Sequence, residues 1–569
     1  MEFHAFILCG SGKGLSPFSQ SRTTGVSKAL LPIANKPMVE YVLEWCDRAF
    51  FPQVTVVCDE ASKEGLQAAV EQYQSKLRPA HGAGETAPAS TGTGAGAPAS
   101  GASAGTALSS TGSHTGTSVD ESHGNSSPPP IDIMVMDANS SGEVLYNLYK
   151  RYGTPRNGVS TEPTSSASST TGAISGGSND SSADAESRAN FVLLPCDFVT
   201  DLPPQVLIEA YRNKPNNDLG LWFNYHNHFE SFSDKKTFGK TFGSQINYTV
   251  YSELEGGELR LLDLFSKDDI DFHKSLQLRT QMSWRHANAT VATKLLDSSI
   301  FFGNTERVFN VFDEEESSKL FTEFYFRHRS VNRVIRDLAR RTWKHSEEKE
   351  SIGFSILPKE ATFFRCNNIP VYMEANRYIM KQQQAQSAQT PVQVAAQPLQ
   401  QSSSQSGSIN KLAAVVGADS LVDPSSVLGE RTNVKRSVIG KSCTIGKRVK
   451  LTGCILLNNI TVEDDVHLEN CIIGHNVTIQ SKVKLTHCNV ESTLEVAKGT
   501  QAKGEDLLCL SLEGIVEGHG ANANEEDLDF DDEYAIGEYS DSDSDSEDDS
   551  ESEGELDEHG DNSDGLFAY

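Results

Sequence analysis

The stretch Leu451–Cys488, LTGCILLNNITVEDDVHLENCIIGHNVTIQSKVKLTHC, repeats itself with a fixed period. Its tetrapeptides LTGC, LENC and LTHC begin at positions 451, 468 and 485, which are spaced by seventeen residues. Within each repeat the apolar residues recur at steps of five or six. An α-helix would repeat every three or four residues and a single strand every two. Steps of six, six and five residues are typical of a parallel β-helix whose coil has three faces.

The same period continues on both sides of this stretch, and several of the apolar positions are followed by glycine. It predicts a β-helix of hexapeptide repeats over residues 411–505. Its inward positions are predicted to be Val416, Val422, Leu428, Val434, Ile439, Ile445, Leu451, Leu457, Val462, Leu468, Ile473, Ile479, Leu485, Val490 and Val496.

Three cysteines occupy the same position of successive repeats. Cys454, Cys471 and Cys488 are seventeen residues apart, so they are predicted to stack in a column at one corner. The column is either a ladder of packed thiols or a metal or redox site. Since thiols without histidine or a CxxC pair make a poor zinc site, we favour the packed ladder.

The part of the chain before the β-helix shows a different pattern, in which short apolar strands alternate with helices. This alternation favours a parallel sheet covered by helices on both faces, continuing in mixed α/β style after residue 218. It predicts an α/β domain over residues 1–381, with strands at Phe3–Leu8, Gln53–Cys58, Ile131–Met136 and Phe191–Leu194, and helices at Val39–Ala49 and Gly142–Tyr149.

Four segments have a composition that cannot form a core. Residues 79–130 and 154–188 are rich in small and polar residues, and residues 382–410 form a linker of Gln, Ser and Ala. Residues 506–569 form an acidic tail, with about twenty acidic side chains and no Lys or Arg between 525 and 564. The two insertions and the tail are predicted to be disordered, because they bury too little apolar surface to offset their ordering entropy. Most of the net charge of −29 lies in the tail.

Composition also argues against several classes of partner. Without the tail the chain is only mildly acidic, and nothing predicts a nucleic-acid groove or a membrane surface. No apolar run approaches the roughly 20 residues of a membrane helix. The ten cysteines contain no CxxC pair and no cluster at metal spacing, which favours a reducing compartment and a cytosolic protein without a metal site.

A glycine-bearing loop follows the first predicted strand. The sequence from Leu8 to Pro37 is LCGSGKGLSPFSQSRTTGVSKALLPIANKP. Gly10 and Gly12 allow the backbone to approach a ligand closely, and the backbone N–H groups of such a turn bind phosphate. A sharp turn without a ligand would need the same residues, so the glycines alone leave both interpretations open.

The wider loop resembles the sugar-nucleotide pyrophosphorylases, whose nucleotidyltransferase domain begins with G-x-G-T-R-L-x-P and P-K-x-L-L-P. The segment LLPCDFVTDLP (Leu193–Pro203) resembles that family's strand ending in a metal-binding aspartate, which falls on Asp197. The repeats resemble the left-handed β-helix that many of these enzymes carry. The resemblance implies a Rossmann-like mixed sheet and, in the loop, matches Gly10, Gly12, Leu15, Pro17, Lys28, Leu30, Leu31, Pro32, Lys36 and Pro37.

Several residues that the family needs are replaced. The loop arginine is Gly14, and the proline before Lys28 is Ser27. The sugar-phosphate lysine has only the poor counterpart Lys240, and NSSGEVLYNLY stands where G-T-A is expected. Nucleotidyl transfer needs cations at the phosphates, so we expect no enzyme activity, catalytic residue, cofactor or metal. Gly10, Gly12, Lys28 and Asp197 are the vestigial candidates for nucleotide binding.

Such a domain followed by a β-helix resembles the nucleotidyltransferase-like subunits of eukaryotic translation initiation factor 2B. The resemblance implies a non-enzymatic subunit of the complex that releases GDP from the GTPase initiation factor 2. It further implies an epsilon subunit as direct partner, then alpha, beta and delta subunits in a heterodecamer. The alternatives are an active sugar-nucleotide pyrophosphorylase and the regulatory subunit of such an enzyme.

Overall fold

The computed structural model describes residues 3–77, 131–153, 190–226, 247–389 and 414–509, except positions 255, 268, 269, 271, 273, 277, 315–318, 346 and 348. Both predicted insertions lie outside these ranges, as do the acidic tail from residue 510 and the linker from residue 390. Among the described residues, no helix is both long and apolar enough to cross a bilayer.

The first domain is built on a sheet of ten strands in the order β11-β9-β10-β13-β8-β12-β6-β1-β4-β5, with β7 paired to β14 and β2 to β3. Its strands are β1 (Phe3–Leu8), β2 (Pro32–Ile33), β3 (Lys36–Pro37), β4 (Gln53–Cys58), β5 (Ile131–Val135), β6 (Asn190–Pro195), β7 (Phe198–Thr200), β8 (Asp218–His226), β9 (Asn247–Glu253), β10 (Leu259–Ser266), β11 (Ala289–Ala292), β12 (Leu295–Asn304), β13 (Ser351–Ile356) and β14 (Phe363–Arg365).

Helices cover both faces of this sheet. Helix α1 has an apolar stripe that packs into the core. Its residues Val39, Val42, Leu43 and Cys46 recur at helical spacing and are all buried. One core cluster lies beneath α1, α2 and α4, and the other lies beneath α3, α6, α7 and α8. The helices are α1 (Met38–Ala49), α2 (Glu60–Leu77), α3 (Ser141–Tyr152), α4 (Pro204–Arg212), α5 (Thr280–Arg285), α6 (Thr305–Asp313), α7 (Glu323–Arg327), α8 (Val331–Lys344) and α9 (Ile369–Gln389).

The parallel half of the sheet creates a crevice at its carboxyl edge. Strand β1 pairs in parallel with β4 on one side and with β6 on the other. The chain runs outward from β1 to β4 and β5, then returns to β6 across β1. Ligands of open α/β sheets bind where the strand order reverses in this way. The loops after β1 and β6 therefore lie at the place where a site is expected.

The second domain is the predicted β-helix, and its strands form three parallel sheets. Face I contains β15 (Val415–Val416), β18 (Asn433–Lys435), β21 (Lys450–Thr452), β24 (His467–Glu469), β27 (Lys484–Thr486) and β30 (Gln501–Lys503). Face II contains β16 (Leu421–Val422), β19 (Val438–Ile439), β22 (Ile455–Leu456), β25 (Ile472–Ile473), β28 (Asn489–Val490) and β31 (Asp506–Leu507). Face III contains β17 (Val427–Leu428), β20 (Thr444–Ile445), β23 (Thr461–Val462), β26 (Thr478–Ile479) and β29 (Glu495–Val496).

Each corner of the β-helix is turned by residues with positive φ, many of which are not glycine. Asparagine is common among them because it tolerates the left-handed conformation. The three columns are Arg431, Arg448, Asp465, Lys482 and Gly499; Arg436, Gly453, Asn470, His487 and Gly504; and Ser442, Asn459, Asn476 and Thr493. Three columns at a spacing of seventeen residues give a coil with three corners.

The structure corrects two details of the predicted repeat. Leu456, not Leu457, stands in register with Ile439 and Ile473, which restores the five-residue step of the neighbouring coils. Leu457 is nevertheless buried. The β-helix also extends beyond residue 505, because strand β31 pairs with β28 in the last coil.

The other sequence predictions compare closely with the structure. The strands at Phe3–Leu8 and Gln53–Cys58 have their predicted bounds, whereas helix α2 was not predicted. Helix α9 continues to Gln389, inside the predicted linker. The sheet is parallel from β5 to β6 and again between β8 and β13. Strand β12 pairs with both its neighbours, β6 and β8, in antiparallel fashion.

The cysteine column forms where the repeat places it. Cys454, Cys471 and Cys488 are all completely buried. Their thiols donate to the carbonyl oxygens of the residues two positions before them, at 3.2–3.4 Å. Side chains packed and bonded in this way match the ladder of packed thiols.

Inward and outward residues of one β-helix strand should differ sharply in their effect on stability. Leu468 of β24 is 1% exposed, so Leu468→Ala leaves a cavity and should lower the free energy of unfolding by about 2–5 kcal/mol. The adjacent His467 points outward, and His467→Ala should change the free energy of unfolding by less than about 0.5 kcal/mol. Urea denaturation followed by circular dichroism measures both. Equal effects would contradict the assigned register.

Candidate functional site

The glycine loop leaves β1 at the carboxyl edge of the sheet and turns at Gly12. Gly12 has a φ of 76°, and a Cβ there would lie 2.9 Å from Cβ of Lys28. The hydroxyl of Ser19 donates to the Gly12 carbonyl oxygen at 2.6 Å. Gly12 is therefore required by close packing inside the protein. A Cβ at Gly10, by contrast, would have no heavy atom within 4 Å.

Asp197 follows β6 and is held by two cations. Nζ of Lys28 lies 2.5 Å from one carboxylate oxygen, and Nε of Arg365 lies 2.9 Å from the other. The structure thus brings together three of the four predicted candidates, Gly12, Lys28 and Asp197, with Gly10 at the open side of the same loop. Asp197 is 1% exposed, so the ion pairs are shielded from water.

The charges around Asp197 dominate its ionisation. Burial by itself would raise the pKa of this carboxyl, but Arg365 and Lys28 outweigh burial and lower it to about 2. Arg365 also faces Asp297, whose pKa is raised by burial and lowered in part by the same guanidinium. The partly buried Arg365 therefore stands between the buried Asp197 and the partly buried Asp297.

Sequence reasoning missed Arg365. It ends β14, which pairs with β7 directly after Asp197, so 168 residues of chain separate the two partners. The one local signal is a charged residue inside the apolar stretch Phe363–Cys366. Such a residue is rarely buried without a partner of opposite charge. Nothing in the sequence indicates which carboxylate that partner is.

The geometry of Asp197 bears on the chemistry that the resemblance assigns to it. A carboxylate that binds a divalent cation must offer its oxygens to that cation. Here both oxygens already accept charge-assisted hydrogen bonds from side chains of the chain itself. The guanidinium of Arg365 supplies a fixed positive charge beside these oxygens, where a divalent cation would otherwise bind.

Gly14, which replaces the loop arginine, lies against the backbone of the 366–368 segment. A Cβ at this position would lie 2.1 Å from the carbonyl oxygen of Asn367. The replacement therefore removes a positive charge and also permits a contact that no other residue type allows. The loop is packed closed at the point where the family's arginine would emerge.

The loop is also fixed to the last coils of the β-helix. Nε of Arg22 and Oγ1 of Thr24 both lie 2.7 Å from one carboxylate oxygen of Glu491. The other oxygen of Glu491 accepts a hydrogen bond from the Cys509 backbone at 2.6 Å. Glu491 is 1% exposed and occupies the position that is Gly474 in the preceding coil. An acid at a buried position of the repeat was a sequence signal for this contact.

The segment that stands in place of G-T-A is covered by the chain itself. The Ser140 hydroxyl caps helix α3 by accepting from the Glu143 N–H, and it donates to the Phe326 carbonyl oxygen at 2.8 Å. A Cβ at Gly142 would lie 2.3 Å from the carbonyl oxygen of Arg329. The segment after α7 therefore packs directly on the start of α3. Lys240 lies outside the described residues.

The fold and the site define the class of the protein: a mixed α/β domain with a glycine-loop crevice, joined to a left-handed parallel β-helix. The family model described as the eIF2B subunit epsilon left-handed β-helix domain matches residues 404–501. Translation initiation factor eIF2B subunit gamma of Schizosaccharomyces pombe is 35% identical over 79 residues, which cover 14% of this chain and 17% of that protein. The β-helix of this chain is thus similar to that of eIF2B subunits, which confirms the predicted resemblance.

Adding a methyl group should destabilise the protein at Gly14 and have almost no effect at Gly10. Gly14→Ala should lower the free energy of unfolding by about 1–3 kcal/mol, because the Asn367 carbonyl must move. Gly10→Ala, the matched control, meets open space and should change it by less than about 0.5 kcal/mol. Urea denaturation measures both. A neutral Gly14→Ala variant would show that the loop is not closed against Asn367.

Asp197 should stabilise the protein in a pH-dependent way. Its pKa is lowered on folding from 3.8 to about 2, so its contribution is complete above pH 4 and disappears as the pH falls toward 2. Asp197→Asn should therefore cost on the order of 2 kcal/mol at pH 5 and less at pH 2.5. Urea denaturation at the two pH values tests this, with Glu64→Gln as the exposed control. A cost that does not shrink on acidification would refute the ion-pair assignment.

Proposed function

We propose that this chain is a non-enzymatic, gamma-type subunit of a guanine nucleotide exchange factor for translation initiation factor 2. It contributes to GDP release by holding an epsilon-type catalytic subunit and by binding the GTPase. The observation that carries the proposal is the closed crevice, in which Lys28 and Arg365 occupy both oxygens of Asp197.

Electrostatics argue against phosphoryl chemistry in this crevice. Negative charge builds on the phosphate oxygens during nucleotidyl transfer, and pre-organised cations must stabilise that charge. The two cations nearest Asp197 are already paired with that carboxylate, and Gly14 supplies no further cation. Loss of one such contact typically costs about 3–4 kcal/mol in the transition state. In this proposal the α/β domain is therefore a degenerate nucleotidyltransferase.

The comparisons support the choice of complex. The matched β-helix model and the matched relative both bear the name of eIF2B. The relative is a gamma subunit, and the model is described for epsilon, so the gamma assignment follows the relative. The matched segment spans less than one fifth of that relative, and the activity and partners of the whole protein are accordingly part of the proposal.

The proposed assembly has a physical logic. Exchange requires a partner that favours the nucleotide-free GTPase over its GDP-bound form. A subunit can add to that preference by binding the GTPase away from the nucleotide, so it needs no catalytic groups of its own. The proposed partners are the epsilon subunit, then alpha, beta and delta subunits in a heterodecamer that acts in the cytosol.

Purification of the tagged chain from its own cells, followed by mass spectrometry, tests this assembly. We expect the four other subunits and the GTPase to co-purify. In reconstitution, the chain alone should not accelerate GDP release, whereas the chain with the epsilon subunit should exceed epsilon alone. Because the crevice is closed, the purified chain should not form pyrophosphate from a nucleoside triphosphate and a sugar-1-phosphate.

Other results would favour the alternatives. Sugar-nucleotide synthesis by the chain alone would make it a pyrophosphorylase. Co-purification with an active pyrophosphorylase, together with thermal stabilisation by a sugar nucleotide, would make it a regulatory subunit of that enzyme. Either result would overturn the proposal.

A further inference from the structure

The three faces of the β-helix share one backbone but differ in chemistry. The middle of face II is covered, since its outward residues Val438, Ile455 and Ile472 are buried and Asn35 of the α/β domain donates to the Ile439 carbonyl oxygen. Face III is exposed and mostly uncharged, with a row of threonines at 444, 461 and 478. Face I is exposed and basic.

Two outward rows form face I. One row runs through Lys450, His467 and Lys484 on adjacent strands, and the other begins at Lys435 and ends at Lys503. All five of these side chains are exposed, and within the described chain no lysine of the face belongs to a salt bridge. The rows contain a single acid. Their remaining members are Val415, Asn433, Thr452, Glu469, Thr486 and Gln501.

The dimensions of face I limit what can bind there. Neighbouring strands lie about 4.8 Å apart, so Lys435 and Lys503 are separated by about 19 Å across four steps. Each strand of the face has three or fewer residues, so the strip is about 7 Å wide between its two rows. An extended polypeptide of about six residues spans this length. The strip fits a single segment better than the face of a globular domain.

The side chains of face I favour an acidic polypeptide over a nucleic acid. Single-stranded nucleic acids are usually held by aromatic side chains that stack on the bases, and neither row contains Phe, Tyr or Trp. Neither row contains arginine, the residue best suited to bidentate phosphate contacts. Glu469 lies in the middle of the strip, where it would repel a continuous phosphate backbone. A polypeptide can place a serine or a backbone N–H there.

We propose that face I of the β-helix is a docking surface for an acidic, extended polypeptide segment of a partner protein. Charge complementarity supplies the attraction, and the lysine rows set its direction along the strip. Thr452 and Thr486, between the charged positions, provide hydrogen bonds to the segment. This inference does not depend on the function proposed above.

Fluorescence anisotropy of a labelled ten-residue peptide of alternating glutamate and serine tests the surface on the full-length chain. Binding should weaken severalfold between 50 and 200 mM salt, because exposed charges are screened. Lys450→Glu combined with Lys484→Glu should weaken it at least about tenfold, since two attractive contacts become repulsive. Lys450→Gln with Lys484→Gln should give a smaller loss in the same direction.

The matched control reverses two exposed lysines elsewhere, Lys441→Glu with Lys344→Glu, and changes the net charge equally. It should alter peptide binding by less than about twofold. Circular dichroism checks that each variant is folded. If the double glutamate variant is unfolded, the double glutamine variant provides the decisive comparison. Equal weakening by the control, no binding by the unaltered chain, or tighter binding of a ten-residue uridine oligonucleotide would each overturn the proposal.

Discussion

The ion pairs of Asp197 determine the character of the crevice. A buried carboxylate without a partner is strongly disfavoured, and removal of both cations would leave the charge of Asp197 unpaired in a dry site. Lys28 comes from the glycine loop, whereas Arg365 comes from a strand 168 residues after Asp197. The contact therefore joins the loop after β1, the end of β6 and the end of β14. The conformation of the loop is set by these internal partners and needs no phosphate.

The α/β domain and the β-helix are linked through the same loop. Arg22 and Thr24 lie between Gly12 and Lys28, and both bond to the buried Glu491. The apolar core beneath the sheet also continues into the interior of the β-helix. The last coils of the β-helix therefore contact the same loop that carries Lys28 into the crevice. The loop connects the two domains where related enzymes are expected to bind their substrate.

Much of the fold could be predicted from the sequence, but less of the site. Periodicity identified the β-helix because inward residues must be apolar in every coil, and strand β1 was recognisable as a short apolar run. The sequence predicts that Gly14 removes a charge, but the contact of Gly14 with Asn367 depends on a distant segment. Arg365 was missed for the same reason. Local patterns report burial and turns, whereas ion pairs between remote strands depend on topology.

The repeat of the β-helix determines its inward residues but leaves its outward residues free to vary. Inward positions such as Leu451 and Leu468 pack on one another, so every coil constrains the next. Outward positions bear no such constraint, and one backbone can present a buried apolar face, a neutral threonine face and a basic face. The family resemblance accordingly indicates the architecture of the β-helix more strongly than the chemistry of its outward faces. What the chain binds is determined by outward residues such as Lys450, and these must be interpreted from their own charges and spacing.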